Sequence, residues 1–173
     1  MMWKQEGERG RPISDFLGAD HRRLDALLQS AVADIDAVDY VRYDQFRAGL
    51  LRHIGMEEKI LLPAVQRLRA GRPLPVAAKL RLDHGAIASL LMPPPSATIL
   101  AMLRDILADH NEIEEGPDGL YETSEMSVGA EAEQILARLQ AAPTVSVMPY
   151  SDTVTVMNTV RRAVERAGYR FKA

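Results

Sequence analysis

The chain of 173 residues contains no cysteine. That excludes disulfides, thiolate-bound iron–sulfur clusters, covalent c-type haem and a cysteine nucleophile. It also lacks an excess of charge of one sign: 21 lysines and arginines stand against 24 aspartates and glutamates, a net of −3. Such a balance gives no electrostatic reason to bind nucleic acid or an anionic membrane. Long apolar runs are missing too, since none approaches the ~18–20 residues that a bilayer span requires. The first residues, MMWKQEGERGRP, are polar and lack the apolar core of a signal peptide. The expectation is a cytoplasmic protein that engages neither nucleic acid nor membrane; no feature singles out a protein partner. What is present, 47% hydrophobic and 26% charged residues, is the balance of a folded globular chain. The length suits one domain with a sizeable core.

Apolar residues recur at three- and four-residue steps through most of the chain, which predicts helices. The first is expected over about 14–36, capped by Ser14 after Pro12, with Leu17, Leu24, Leu28 and Ile35 as its stripe. The second is expected over about 40–69, carrying Phe46, Leu50, Ile60 and Leu61, with Pro63 to kink or end it. Gly71-Arg72-Pro73-Leu74-Pro75 breaks the chain. A third helix, about 76–91, carries Leu80, Ile87 and Leu91 and stops at Pro93-Pro94-Pro95. A fourth follows an N-cap at Ser96, carries Ile99, Leu103, Ile106 and Ile113, and ends at Gly116-Pro117-Asp118-Gly119. Beyond it, 130–139 reads as helix and 141–150 as extended. Residues 152–167 read as a last helix capped by Asp152 and stopped by Gly168, although Thr153-Val154-Thr155-Val156 also fits a strand. Four helices with short connections imply an all-α, up-and-down antiparallel four-helix bundle, with the C-terminal helical segments packed on it.

The four histidines, His21, His53, His84 and His110, fall one on each predicted bundle helix. Each lies in the apolar stripe: His21 between Leu17 and Leu24, His53 three residues after Leu50, His84 between Leu80 and Ile87, and His110 between Ile106 and Ile113. A single histidine on an apolar face is usually a hydrogen-bonded core residue. The inward stripe is roughly a third of a helix surface, so all four would fall there by chance in about one chain in a hundred. A shared site is the better reading.

Two of these histidines come with carboxylates. His53-Ile54-Gly55-Met56-Glu57-Glu58 and His110-Asn111-Glu112-Ile113-Glu114-Glu115 share the pattern H-x-x-x-E-E. Residues at i and i+4 lie one turn apart on one face, so Glu57 and Glu114 also point inward. Burying two carboxylates is unfavourable without a compensating cation or donor. Imidazole and carboxylate in a dry bundle form a ligand set for iron, manganese or zinc, whereas calcium and magnesium favour oxygen donors. The Glu-x-x-His pairs of ferritin-like di-iron bundles are absent, and so is the His-Glu-x-x-His of zinc proteases.

His21, then His53-x3-Glu57, then His84, then His110-x3-Glu114 resembles the hemerythrin-like, or HHE cation-binding, domain over about residues 14–121. The resemblance implies a four-helix bundle holding two non-haem irons with an oxo or hydroxo bridge, zinc or manganese being the substitutes. It gives bridging roles to Glu57 and Glu114. It places His21 and His53 on one iron, and His84 and His110 on the other. The oxygen-carrying members have H-x-x-x-H on the third helix, whereas Ala88 stands one turn after His84 here. Water, Glu115 or Tyr121 is then left to complete that metal. Those members also use H-x4-D on the fourth helix, which would select Glu115; the i, i+4 geometry of His53 and Glu57 selects Glu114.

The expected organisation is a polar tail over 1–13, the metal-binding bundle over 14–121 and a helical extension over 122–173. The expected function is a di-iron protein that binds or reacts with O2, NO or peroxide, as an iron or oxygen sensor or with peroxide or nitric-oxide turnover. The alternative is a metal-stabilised structural or metal-storage bundle that acts through its C-terminal extension. Gly18, Gly55 and Gly85, close to the histidines and glutamates in sequence, read either as close helix approaches or as tolerated substitutions.

Overall fold

The computed structural model describes residues 10–172, and among them there are only helices, turns and irregular segments. Of the polar tail expected over 1–13, residues 1–9 lie outside the described residues. Helix α1 is Pro12–Ala31 and α2 is Tyr40–Met56. A π-helical turn, Glu57–Leu61, leads straight into α3, Leu62–Leu68. There follow α4 (Ala77–Leu90), α5 (Ala97–Glu115), α6 (Leu120–Val128), α7 (Ala132–Gln140) and α8 (Val154–Arg166). No helix among the described residues is long and apolar enough to cross a membrane.

Several ends differ from expectation. Pro12, not a capped Ser14, starts α1, because a proline at the first turn gives up an N–H that has no intrahelical partner. Ser14 sits inside that turn, and its N–H and hydroxyl both donate to Glu125. The helix stops at Ala31, and Ile35 falls in a short 3-10 turn with its side chain exposed. Pro63 does not end the second helix. Its ring would meet the carbonyl four residues back in an α-helix, and the chain widens instead: the Leu62 N–H donates to the Glu57 carbonyl, five residues back. Ser96 caps α5 as expected, its hydroxyl accepting from the Ile99 N–H. The last helix is capped by Thr153, whose side chain accepts from the Val156 N–H, rather than by Asp152. Helix α6 had no counterpart in the sequence reading.

Helix α1 packs on α2, α4 on α5, and α1 touches α5. The α1–α2 contact is close at Gly49, where a Cβ would lie 2.7 Å from Leu24 Cδ2. Helix α6 lies across α1, α3 and α5, while α8 lies along α4 and buries Val160 and Val164. The end of α7 and the irregular segment after it are pinned by two arginines of α2: Arg47 donates to the Met148 carbonyl, and Arg52 to the carbonyls of Gln140 and Ala142.

The apolar core is split in two. One cluster holds Leu24, Leu28, Phe46, Leu50, Ile87, Leu103 and Ile106. The other holds Ile13, Leu17, Met56, Leu61, Leu80, Leu120 and Tyr121. Each of the first three histidines lies between a residue of one cluster and a residue of the other on its own helix: Leu17 and Leu24 flank His21, Leu50 and Met56 flank His53, and Leu80 and Ile87 flank His84. The four histidines and two glutamates thus form a polar layer at one level of the bundle.

Candidate metal centre

All six residues of that layer are buried, and Glu57 and Glu114 have no exposed surface. They form two groups that share both glutamates: His21, His53, Glu57 and Glu114 in one, and His84, His110, Glu57 and Glu114 in the other. Within each group one ligand atom per residue lies within 4.8 Å of all the others. The glutamates divide their oxygens between the groups. Glu57 Oε1 is 3.3 Å from His53 Nε2, and its Oε2 is 3.2 Å from His84 Nε2. Glu114 Oε2 is 3.3 Å from His21 Nε2, while its Oε1 is 3.0 Å from His110 Nε2 and 3.7 Å from His84 Nε2. A carboxylate that spans two imidazole pairs in this way has the disposition of a bridge between two cations.

The other nitrogen of each ring faces a carboxylate from a neighbouring helix. Asp20 Oδ2 of α1 is 2.9 Å from His53 Nδ1, and Glu58 Oε1, in the π-turn, is 2.7 Å from His84 Nδ1. Asp83 Oδ2 of α4 is 3.7 Å from His110 Nδ1, and Glu115 Oε1 of α5 is 2.6 Å from His21 Nδ1. The four pairs close a ring from α1 to α2 to α4 to α5 and back to α1. An imidazole that donates Nδ1–H to such a partner keeps its Nε2 lone pair for the centre, the arrangement that orients metal-bound histidines. Three of the braces are themselves held by cations: Asp20 by Arg23, Glu58 by Arg81 and Asp83 by Lys79. Sequence reading missed Asp20, Glu58 and Asp83 as site residues. Their signal was adjacency, in Asp20-His21, Asp83-His84 and Glu57-Glu58.

The two further residues expected as candidates both meet the His21–His53 side rather than His84. Glu115 is the brace of His21 and is 40% exposed. The Tyr121 hydroxyl, carried by α6, sits in the first group: it donates to Glu57 Oε1 at 2.8 Å and lies 3.0 and 3.1 Å from Nε2 of His21 and His53. It is also 3.3 Å from Glu114 Oε2. Of the three glycines, Gly55 and Gly85 have open space where a Cβ would stand, and at Gly18 the nearest side-chain atoms are at an ordinary 3.5 Å. Close approach does not explain any of them.

The electrostatics call for cations. Burial works against both charge states. Glu114 repels Glu57, yet the surrounding histidines hold both carboxyls below their usual range. Burial disfavours protonated His53, but Glu57, Asp20 and Glu114 outweigh it and push it up to about 10. The same contest sets His84 at about 11, through Glu114, Glu57 and Glu58, and His110 at about 9, through Asp83 and Glu114. Burial, Glu57 and Glu114 hold the Tyr121 phenol well above its ordinary value. Protons therefore do the work of counter-charge, and they do it incompletely: Glu57 Oε2, Glu114 Oε1 and His84 Nε2 are buried with no hydrogen-bond partner among the described residues. Three such atoms facing one another fit a metal ion, which takes lone pairs from all of them.

The family model for the hemerythrin HHE cation-binding domain matches residues 13–118. No curated protein and no solved structure matches the chain. The matched segment contains all four histidines, both shared glutamates and the four braces. The chain belongs to the hemerythrin HHE cation-binding domain family.

Proposed function

We propose that this protein binds two iron ions in the polar layer and that the pair binds or reacts with O2, NO or peroxide. The observation that carries the reading is the division of Glu57 and Glu114 between two histidine pairs. His21 and His53 would hold one ion, His84 and His110 the other, and the two glutamates both. Bound iron would supply an electrophilic centre able to change oxidation state and to take a small ligand. The chain contributes the rest. The ring of braces fixes each imidazole, and the two apolar clusters exclude water above and below the layer. Tyr121, whose Oη donates to Glu57 Oε1 in the metal-free layer, would lie beside the ion on the His21–His53 side.

Metal analysis of aerobically purified protein tests this directly: two irons per chain are expected, with near-ultraviolet bands that change on adding azide, peroxide or nitric oxide. Two zinc ions, no colour and no response would sink the small-ligand reading. That outcome would favour a bundle stabilised by metal and acting through its C-terminal extension. One contact speaks for that second reading: Lys79, which holds the brace Asp83, also donates to the Ala167 carbonyl and the Tyr169 hydroxyl beyond α8.

A further inference from the structure

The Tyr121 hydroxyl meets four donor atoms of the layer at once. It stands 3.0 Å from His21 Nε2, 3.1 Å from His53 Nε2, 2.8 Å from Glu57 Oε1 and 3.3 Å from Glu114 Oε2. As a hydrogen-bonding group it is oversubscribed. A phenol has one proton, so once it donates to Glu57 it faces Glu114 with lone pairs on both sides. The same distances suit a cation. Donors at right angles on one ion, each at a bond length of about 2.1 Å, stand about 3.0 Å from their neighbours and about 4.2 Å from the donor opposite. His53 and Glu57 are themselves 3.3 Å apart, as are His21 and Glu114. One donor of each of these four residues lies within 4.8 Å of all the others.

The phenol oxygen stands beside the place of that ion, not in it. A hydroxyl in the middle of the four donors, hydrogen-bonded at about 3.0 Å to each and at right angles, would hold neighbours about 4.2 Å apart, whereas two neighbouring pairs are at 3.3 Å. Oη therefore takes a fifth corner, next to all four. Packing fixes it there: Tyr121 is 2% exposed, and Leu120 and Val128 anchor α6 in the same apolar cluster. The other half of the centre differs. His84 and His110 share it with Glu57 and Glu114, and Ala88, one turn after His84, carries no donor.

We propose that the Tyr121 phenolate is a ligand of the ion held by His21, His53, Glu57 and Glu114, so that the two ions are unlike and an added small ligand binds at the His84–His110 ion. The assignment rests on the two-ion function proposed above. On coordination the O–H bond breaks, an oxygen–metal bond forms and the proton leaves to solvent; no electron moves. Tyrosine is an established ligand of ferric iron. Iron(III)-loaded protein should show a visible phenolate-to-iron band, with tyrosinate ring modes in resonance Raman excited within it. Tyr121→Phe should weaken both at least tenfold, while the histidines and glutamates still hold two irons and water takes the phenolate's place. Azide should bind once per chain in the parent and leave the ring modes intact, and twice in Tyr121→Phe. Two irons with no visible band, or a band that Tyr121→Phe leaves unchanged, would overturn the ligand and leave the two-iron function standing. Azide that abolishes the ring modes would overturn its placement at the other ion. The parent's ring modes alone decide whether a tyrosine is bound, so the test stands even where the variant does not fold. Zinc gives a readout independent of iron: loading should produce the ultraviolet difference band of a tyrosinate in the parent and not in Tyr121→Phe. That band in a protein that takes up no iron would uphold the ligand and defeat the proposed function instead.

Discussion

In one half of the centre, His21 and His53 present their Nε2 atoms to the Tyr121 hydroxyl, which also donates to Glu57. In the other half, the Nε2 atoms of His84 and His110 meet Glu57 Oε2 and Glu114 Oε1, and among the described residues both of these oxygens and His84 Nε2 lack a hydrogen-bond partner. Three of the four braces, those of His21, His53 and His84, are within hydrogen-bond range, whereas Asp83 stands 3.7 Å from His110. The difference comes from α6, a helix that closes one side of the layer and delivers one phenol to it. Without a cation, a hydroxyl satisfies the first half, while the second relies on protonated imidazoles alone. A cation therefore relieves more in the His84–His110 half, and in the His21–His53 half it must displace or deprotonate a phenol.

Both halves lose most when a residue that they share is removed. Glu114→Ala should release metal from both, whereas Glu115→Ala should loosen only the His21 side. A ligand at a thousand times its Kd stabilises by about 4 kcal/mol, which in a chain of this size is a fall in Tm of roughly 10 °C. Calorimetry of the metal-loaded variants measures it, and a larger fall for Glu115→Ala would reverse the assignment of the bridging carboxylate.

The pH dependence should separate the metal-free from the loaded protein. His53, His84 and His110 have folded values near 10, 11 and 9, above an ordinary 6.5. Groups raised on folding contribute stability that is complete below the unfolded value and is lost as pH rises through the folded one. Glu57 and Glu114, lowered on folding, contribute above about 4.5 and lose it as pH falls. The metal-free protein should thus be most stable between about pH 4.5 and 6.5 and weaken towards pH 9–11, by up to about 1.4 kcal/mol per pH unit for each proton. Metal uptake displaces those protons, so the Tm gain on loading should grow with pH. Thermal melts at several pH values, with and without iron, would show it; a gain that shrinks with rising pH contradicts the ring chemistry described above.

The braces offer a finer test. Asp20→Asn removes a hydrogen-bonded charge from His53. Such partners are typically worth about 10–100-fold in metal affinity. Asp83→Asn, at the looser brace, should have the smaller effect in competition titrations with a chelator. Smallest is Tyr121→Phe. It leaves buried atoms of the first half without a partner, about 1–2 kcal/mol in the metal-free protein, and much less once metal is bound. Equal destabilisation of both forms would mean that the metal does not take over the hydroxyl's hydrogen-bonding partners.

Much of this centre was legible in the sequence because its residues recur at helical steps inside apolar stripes. His53 and Glu57, or His110 and Glu114, are one turn apart, and a one-turn spacing can be read without coordinates. The braces were not legible for the complementary reason. Neighbours in sequence diverge by about 100° around a helix, so Asp20 and Asp83 point away from the histidines that follow them and serve those of the next helix. That pairing exists only after the helices have packed. Helix α6 was missed because LYETSEMSV, directly after two glycines and a proline, carries too few apolar residues to show a stripe. Its place is fixed by burial of Leu120, Tyr121 and Val128 against α1, α3 and α5. Pro63 signalled a disturbance correctly, but its resolution as a π-turn, which leaves Glu57 facing the layer and Glu58 facing His84, depends on the packed neighbours.

The central claim is that two metal ions share Glu57 and Glu114. X-ray absorption at the iron edge of the loaded protein tests it most directly. An iron–iron vector of about 3–4 Å, as in bridged two-metal sites, with an imidazole-rich first shell at both ions, is the predicted result. A single iron per chain with no metal neighbour at that distance would contradict it.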